Sequence, residues 1–283
     1  MKEGLMMKFL KKHLTSIILT VMLMGGVGLL AYPTIADWWN SMNAARLTSS
    51  YVQSVESLDS SDLKEMVEEA KVYNEELIHD PGRLFPTDSQ HTRYLNELDL
   101  GESGVMGTIN IPSARIQLPI YHGTDDRVLA VGAGHLEGTS LPIGGIGTHA
   151  VITGHRGLPS ARLFTDLDRV VEGDYMIVSV LNQKATYQVD KIRIVDPDEI
   201  SGLKIEPDQD LLTLVTCTPY GVNTQRMLIT GHRVENLQDW ETTAEAGLVN
   251  SNLVALFIAC AILVVLFITL MIRGRKPKEG HDE

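Results

Sequence analysis

The sequence has few cysteines, an excess of acidic over basic side chains and no motif typical of a metal site. Its 283 residues include only two cysteines, which excludes a small fold held together by several disulfides. It has 24 lysines and arginines against 36 aspartates and glutamates, a poor composition for binding nucleic acid, because phosphate contacts need clustered cations. Neither an H-E-x-x-H motif nor closely paired cysteines occur, so we expect no metal and no cofactor.

Two long uncharged segments near the ends of the chain predict membrane-spanning helices. Residues 14–36 and 253–272 each have a length near the ~20 apolar residues that a helix needs to cross a bilayer. Lys8, Lys11 and Lys12 lie just before the first segment, and two arginines and two lysines follow the second. Because cytoplasmic flanks are enriched in these residues, we expect both termini inside the cell and the middle of the chain outside. A cleaved signal peptide is the alternative for the first segment.

The region between these segments changes from a helical to a strand pattern. Apolar residues recur at helical spacing between 40 and 79, which predicts an amphipathic helix or a pair of helices. Pro81, Gly82 and Pro86 then predict a loop over 80–98. Beyond it, short helices near 126–131 and 160–168 interrupt a series of seven or eight strands, which predicts an antiparallel barrel or sandwich. The strands are expected at 104–112, 115–121, 149–154, 174–181, 184–195, 210–217 and 226–234.

Cys217 is the cysteine with a chemical setting of interest. Cys260 lies in the middle of the second apolar segment, so a disulfide between the two would require a thiol to leave the bilayer. The thiol of Cys217 comes at the end of a predicted buried strand, where Pro219 and Gly221 force a turn. A lone cysteine in this position is either a small buried hydrophobe or a thiol kept free for its reactivity.

Two further side chains at strand ends complete a possible site for acyl transfer. His155 follows a strand and precedes a glycine, and Arg226 opens the strand that returns from Cys217. An imidazole can exchange a proton with a thiol near neutral pH, and an arginine can donate to a developing oxyanion without losing its charge. Each residue also has a simpler explanation, since Arg226 could be a surface strand residue and His155 a hydrogen-bonded turn histidine.

Three stretches of this sequence resemble the class C sortases, the pilin-polymerising transpeptidases of Gram-positive bacteria. They are TLVTCTPYGVNTQRMLITGHR at 213–233, VITGHRGLPSARLFTDLDRVVEGD at 151–174 and GAGHLEGTSLPIGG at 132–145. The resemblance covers the region between the two apolar segments, and an apolar segment at each end also fits the class. It implies an eight-stranded β-barrel with an N-terminal helical region.

The resemblance also implies the roles of the three side chains. Cys217 would attack the threonine carbonyl of an LPxTG-like sorting signal and form a thioester. His155 would act as the acid for the leaving amine and then as the base for the incoming one, and Arg226 would hold the oxyanion. The acceptor would be a lysine amine of the next pilin subunit. Thr213 and Thr216 match positions that line the site, although both also suit a plain strand.

A lid over the site is a further implication of the resemblance. Sortases of this class carry an Asp-Pro-aromatic sequence before the barrel. Here Asp80 and Pro81 are present, but Gly82 stands at the position of the aromatic residue, and the nearest ring is Phe85. The resemblance therefore implies a lid with Asp80 near Arg226 and leaves open whether Phe85 caps the thiol.

Several other functions are compatible with parts of the sequence. A housekeeping sortase, which attaches surface proteins to a cell-wall precursor, would use the same three side chains. A membrane-tethered binding module without catalysis would be favoured if one of the three were missing. A zinc enzyme would have to use the histidines at 122, 135, 149 and 155, whose spacing matches no zinc motif.

The apolar segments, the change of pattern between them and the resemblance together divide the chain into eight segments, in a two-pass protein of the cell membrane. Both termini would be cytoplasmic, the catalytic domain extracellular, and the partners pilin subunits that bear the sorting motif and an acceptor lysine. The segments are the N-terminus (1–13), a transmembrane or signal-anchor helix (14–36), a helical region (37–79), the lid loop and linker (80–98), the catalytic barrel (99–240), a juxtamembrane segment (241–252), a transmembrane helix (253–272) and a tail (273–283).

Overall fold

A computed structural model of the protein describes residues 2–101 and 104–236, together with residues 255, 258–260 and 263. The predicted second membrane segment at 253–272 therefore lies outside the described residues except for those five positions, and the tail at 273–283 lies wholly outside them. The compact unit that carries the barrel covers Trp39–Glu241.

The N-terminal part of the chain forms a long helix, α1 (Lys2–Ser57). In the described part of the chain it is the one helix that is long and apolar enough to cross a membrane. Many of its apolar side chains between residues 14 and 39 are exposed, and Leu29 and Leu30 are each 79% exposed. Side chains of this kind suit a lipid environment. The prediction of an N-terminal helix that could span is thus confirmed.

The predicted helical region continues through α1 and into α2 (Ser60–Ile78). One face of α2 is buried in the main core, and its members recur at helical spacing: Leu63, Val67, Ala70, Tyr73 and Leu77. Because that spacing was readable from the sequence, the amphipathic helix pair was predicted correctly.

The loop predicted over 80–98 is wrong in its second half, where residues form α3 (Asp88–Asn96). A capping box starts this helix. The backbone amide of Gln90 donates to the Thr87 hydroxyl over 3.4 Å, and the Gln90 side chain accepts from the Thr87 amide over 2.8 Å. Such reciprocal bonds satisfy two amides that a helix start leaves unpaired. The Thr-x-x-Gln spacing was the available signal, outweighed by the prolines before it.

Eight strands close into a barrel in the order β1-β2-β3-β4-β7-β8-β6-β5. The eight-stranded barrel implied by the resemblance is therefore confirmed, and the seven predicted segments all form strands. The eighth strand, β3, has only three residues and was missed. The strands are β1 (Val105–Ile111), β2 (Ile116–His122), β3 (Ala133–His135), β4 (Thr148–Thr153), β5 (Tyr175–Val180), β6 (Gln183–Val195), β7 (Asp210–Thr218) and β8 (Gln225–Val234).

The sequence predicted an antiparallel barrel or sandwich, but two of the strand pairs in the barrel are parallel. β2 pairs with β3 in parallel, and so does β4 with β7. Parallel neighbours need a crossover connection, and the β2–β3 connection contains the short helix α4 (Asp126–Leu129). Strands β5 and β6 lie between β4 and β7 in the sequence. The β4–β7 pair sets the site, because both of its strands end at the same edge of the barrel.

Candidate active site

Cys217 and Arg226 are brought together by the register of two neighbouring strands. In the antiparallel pair β7–β8, Cys217 lies directly opposite Arg226. Side chains that are directly opposite in such a pair have Cβ atoms about 5 Å apart and project from the same face. The pairing follows from the β7–β8 turn, as the sequence predicted.

The face that carries these two side chains is not the one that fills the barrel. Leu212 and Leu214 of β7 belong to the main core, whereas Val215 packs against a separate apolar cluster. We call this separate cluster, made of Val151, Leu203 and Leu228, the outer cluster. Because side chains alternate along a strand, Cys217 projects on the same side as Val215. The thiol therefore lies outside the barrel interior, on the same side of the sheet as the outer cluster.

His155 reaches the level of Cys217 through the parallel pair β4–β7. The last paired residues of this ladder are Thr153 and Val215, and the Gly154 amide still donates to the Val215 carbonyl over 3.2 Å. Two residues beyond this last pair, the segment that follows β4 has His155 and β7 has Cys217. The three predicted residues thus lie at one edge of the barrel.

All three side chains remain open to a ligand. Cys217 is a free thiol, and each of the three residues is partly exposed. The Arg226 guanidinium donates to the backbone carbonyls of Asn223 and Gln225, over 3.2 and 3.0 Å. These bonds hold the guanidinium at the β7–β8 turn while leaving donors for a substrate. A thiol, an imidazole and a fixed cation together suit acyl transfer through a thioester.

Thr213 and Thr216 support the site rather than offer free hydroxyl groups. Thr213 is fully buried, and its hydroxyl bonds to His149 over 2.7 Å and to Thr230 over 2.8 Å. The Thr216 hydroxyl donates to the Gly154 carbonyl over 2.8 Å. Burial lowers the pKa of His149, so this ring stays neutral and accepts from Thr213 while its other nitrogen donates to the Lys204 carbonyl.

The segment that contains the expected lid lies against the barrel at a different place. Asp80 accepts hydrogen bonds from the Gly82 amide and from the Gln90 side chain, both over 2.8 Å. Pro81 is exposed, and Phe85 is 85% exposed. Within the described residues, neither Asp80 nor Phe85 is bonded to or packed on Cys217 or Arg226. The structure thus brings together the three catalytic candidates and leaves the lid candidates apart from them.

Arg83, which the sequence did not single out, attaches the segment that contains Asp80, Pro81 and Phe85 to the barrel. Its guanidinium donates to the Gly138 carbonyl in the β3–β4 connection and, over 2.9 Å, to the Leu203 carbonyl in the β6–β7 connection. Leu203 is also part of the outer cluster. Arg83 therefore contacts a residue of the outer cluster, although Asp80 and Phe85 do not reach the Cys217 thiol.

Arg156 and Asp168 were also missed. Arg156 directly follows His155, and its side chain is only 8% exposed. Its guanidinium donates to the Thr218 hydroxyl over 3.3 Å and to the Asp168 carboxylate over 2.7 Å. An arginine next to a candidate catalytic histidine was the available signal, but its partners depend on strand pairing that local spacing does not reveal.

The histidines of the zinc alternative do not form a common site. His122 bonds to the Glu97 carbonyl, and His135 to Tyr94 and the Ser140 carbonyl. Across the residues that the structure describes, no three histidine, cysteine or carboxylate side chains are placed to hold a metal ion.

The barrel region of this chain is similar to known proteins of one family. Residues 109–234, which contain all three candidates, match the Sortase domain family. The chain is similar to the crystal structure of sortase C1 from Streptococcus agalactiae, with 47% sequence identity, a TM-score of 0.65 and coverage of 68% of this chain and 100% of that chain. It is also similar to sortase C-1 from Actinomyces oris, with 46% identity, a TM-score of 0.58 and coverage of 62% and 99%. Among curated relatives, sortase D of Bacillus subtilis (strain 168) is 27% identical over 174 residues, which are 60% of this chain and 84% of that protein.

Proposed function

This chain belongs to the sortase family of cysteine transpeptidases, and we propose that it polymerises pilin subunits on the outer face of a Gram-positive cell membrane. The observation that supports the proposal is that strand pairing puts Cys217, Arg226 and His155 at one edge of the barrel. The similarity to sortase C1 of Streptococcus agalactiae and sortase C-1 of Actinomyces oris supports the pilin-polymerising class.

In the proposed reaction, the Cys217 sulfur attacks the threonine carbonyl of an LPxTG-like sorting signal. The carbonyl oxygen takes up negative charge, which the Arg226 guanidinium stabilises. When the bond between threonine and glycine breaks, His155 gives a proton to the leaving amine, and the acyl group remains on sulfur as a thioester.

The second half of the reaction joins the acyl group to a new subunit. A lysine amine of the next pilin attacks the thioester and loses a proton to His155, and the thiolate of Cys217 leaves. The product is an isopeptide bond between two pilin subunits, and the enzyme returns to its starting state. No metal and no cofactor is needed for any of these steps.

The proposed location follows from the two apolar segments. α1 would anchor the protein in the membrane, and residues 253–272 would form a second span. Basic residues precede the first segment and follow the second, so both termini would face the cytoplasm and the barrel would face the outside. The membrane and the pilin subunits are thus the proposed partners.

Cleavage of a labelled LPxTG peptide by the full chain in detergent micelles tests the chemistry. Cys217→Ala should abolish cleavage, and a thiol alkylator should do the same to the parent, whereas a chelator should have no effect. Cys260→Ala is the matched control, because it removes the other thiol and should leave activity intact. Undiminished cleavage by Cys217→Ala would overturn the proposal.

The product distinguishes the pilin-polymerising function from its alternative. A housekeeping sortase, which attaches surface proteins to a cell-wall precursor, would use the same three side chains. Incubation of the full chain with pilins from the same bacterium should give a ladder of covalent multimers. If the only product is a single pilin joined to a cell-wall precursor amine, the alternative is correct.

A further inference from the structure

The connection that carries His155 is tied to β7 by side chains at the point where the backbone ladder stops. Beyond the last pair, Thr153 and Val215, the Gly154 amide donates to the Val215 carbonyl over 3.2 Å. The Thr216 hydroxyl then donates back to the Gly154 carbonyl over 2.8 Å. These two bonds fix the chain immediately before His155.

A third tie fixes the chain immediately after His155. The Arg156 guanidinium donates to the hydroxyl of Thr218, the residue that follows Cys217, over 3.3 Å. In the connection after β4 the bonded residues therefore lie on both sides of His155, and in β7 they lie on both sides of Cys217. These bonds hold both catalytic candidates at the same end of the β4–β7 ladder.

The second bond of Arg156 orients its guanidinium. Asp168, in a short 3-10 turn at Thr165–Arg169, accepts from Arg156 over 2.7 Å. Asp168 is 54% exposed, whereas the Arg156 side chain is 8% exposed and its Nε lies buried with no partner in the described part of the chain. Burying a guanidinium costs solvation free energy, so the pair is weak evidence for stability and better evidence for a specific geometry.

We infer that Arg156 is a positioning residue, which holds His155 opposite Cys217 for proton transfer while Asp168 orients its guanidinium. The inference rests on the proposed function, because it needs His155 and Cys217 as the acid–base and the nucleophile. Arg156 makes and breaks no bond in the reaction. It acts through His155, whose ring must meet first the leaving amine and then the incoming one.

Kinetics of Arg156→Met test this role with the full chain in detergent micelles. We expect kcat to fall about 10- to 100-fold, since a displacement near 1 Å can cost on the order of 10² in rate. KM should stay within about twofold, because the sorting signal loses no contact. Rates are normalised to the amount of folded protein measured by circular dichroism, in a Cys260→Ala background, so that unfolded protein does not count.

Two further variants separate positioning from a role in stability. Arg156→Lys can reach Thr218 or Asp168 but lacks the planar fork that contacts both, so it should recover part of the lost kcat. Arg169→Gln is the matched control, because Arg169 is a half-exposed arginine of the same turn that pairs with Asp166. This control should keep the parent kcat and KM.

Double variants identify the residues through which Arg156 acts. Adding Asp168→Ala to Arg156→Met should cause no further loss of kcat, because the aspartate has no guanidinium left to orient. In a His155→Ala background, Arg156→Met should change the residual rate of acyl-enzyme formation by less than about twofold.

The inference is overturned if Arg156→Met keeps kcat within about twofold of the parent, or if KM rises while kcat holds. It is also overturned if the loss disappears on normalisation to folded protein and follows the unfolding midpoint, or if the loss persists undiminished without His155. If the parent chain cleaves no sorting peptide, the proposed function itself fails and the inference fails with it.

Discussion

At the residue scale, the site depends on which side chains face each other across strands. Cys217 faces Arg226 because β7 and β8 pair in that register. A shift by one residue would move the thiol to the opposite face, toward the barrel core. The candidate chemistry is therefore specified by strand register as much as by residue type.

Replacing Arg226 by lysine tests whether the guanidinium, and not charge alone, serves the reaction. Arg226→Lys keeps a cation but loses the planar fork that can bond two oxygens. We expect kcat/KM for the sorting peptide to fall by roughly 10²–10³, the typical effect of one lost oxyanion donor. Kinetics close to those of the parent would remove Arg226 from the site.

The sequence was informative about the reacting side chains and silent about their supports. Cys217, His155 and Arg226 each stand at a strand end marked by nearby glycine or proline, and such boundaries are local signals. The ties made by Arg156 and Thr216 join strands that are more than 60 residues apart, as the separations of 62 residues in both bonds show. No local pattern reveals such a pairing.

At the element scale, α3 is attached to the barrel through a buried pair of rings. Tyr94 of α3 and His135 of β3 are both fully buried. The His135 ring donates from Nε2 to the Ser140 carbonyl over 2.9 Å, and its Nδ1 lies 3.0 Å from the Tyr94 hydroxyl, which donates to the His135 backbone carbonyl over 3.1 Å. The full burial of this ring favours the neutral imidazole, because it lowers the pKa of His135.

The buried imidazole makes stability depend on pH. Burial lowers the pKa of His135 from 6.5 to about 4. Between these values the unfolded chain binds the proton and the folded chain does not, so stability falls as the pH drops from 6.5 toward 4. The loss should approach about 3 kcal/mol, since each pKa unit corresponds to about 1.4 kcal/mol.

Urea unfolding between pH 7 and pH 4 measures this effect. His135→Gln keeps one acceptor for Tyr94 and one donor for the Ser140 carbonyl but does not titrate, so its stability should vary less with pH than that of the parent. The same slope in both proteins would show that His135 is not the titrating group.

The lid segment gives a second test at this scale. Phe85 is 85% exposed and Asp80 bonds to Gln90, so neither side chain is placed to shield the thiol. We expect Phe85→Ala to leave the rate of Cys217 alkylation unchanged. Asp80→Ala should speed it by a few-fold at most, because exposed polar contacts contribute only about 0.2–1 kcal/mol. A large acceleration by Phe85→Ala would mean that the ring caps the thiol.

The elements were predicted unevenly from the sequence. Long strands such as β6 and β8 have clear alternation and turn residues at their ends, and their existence was predicted. β3 has three residues, too few to show a period, and it is also the strand that makes one of the two parallel pairs. Strand existence is a local property, whereas pairing direction depends on the whole barrel.

At the scale of the whole molecule, the proposed function requires the barrel to lie outside the cell. A protease added to intact protoplasts should digest the region from 37 to about 247, while a tag placed after Glu283 should stay protected. A protected tag supports both predicted spans, because the basic flanks would then remain in the cytoplasm. Loss of the tag would mean that the segment at 253–272 does not span as predicted.

The central claim is that Cys217 carries the acyl group during transfer. Its most direct test is mass spectrometry of the full chain after brief incubation with an LPxTG peptide. We predict an adduct on Cys217 with the mass of the peptide up to and including its threonine, which disappears when a pilin with a free lysine is added and reappears on that lysine. Peptide cleavage with no adduct on Cys217, or an adduct on another residue, would contradict the account.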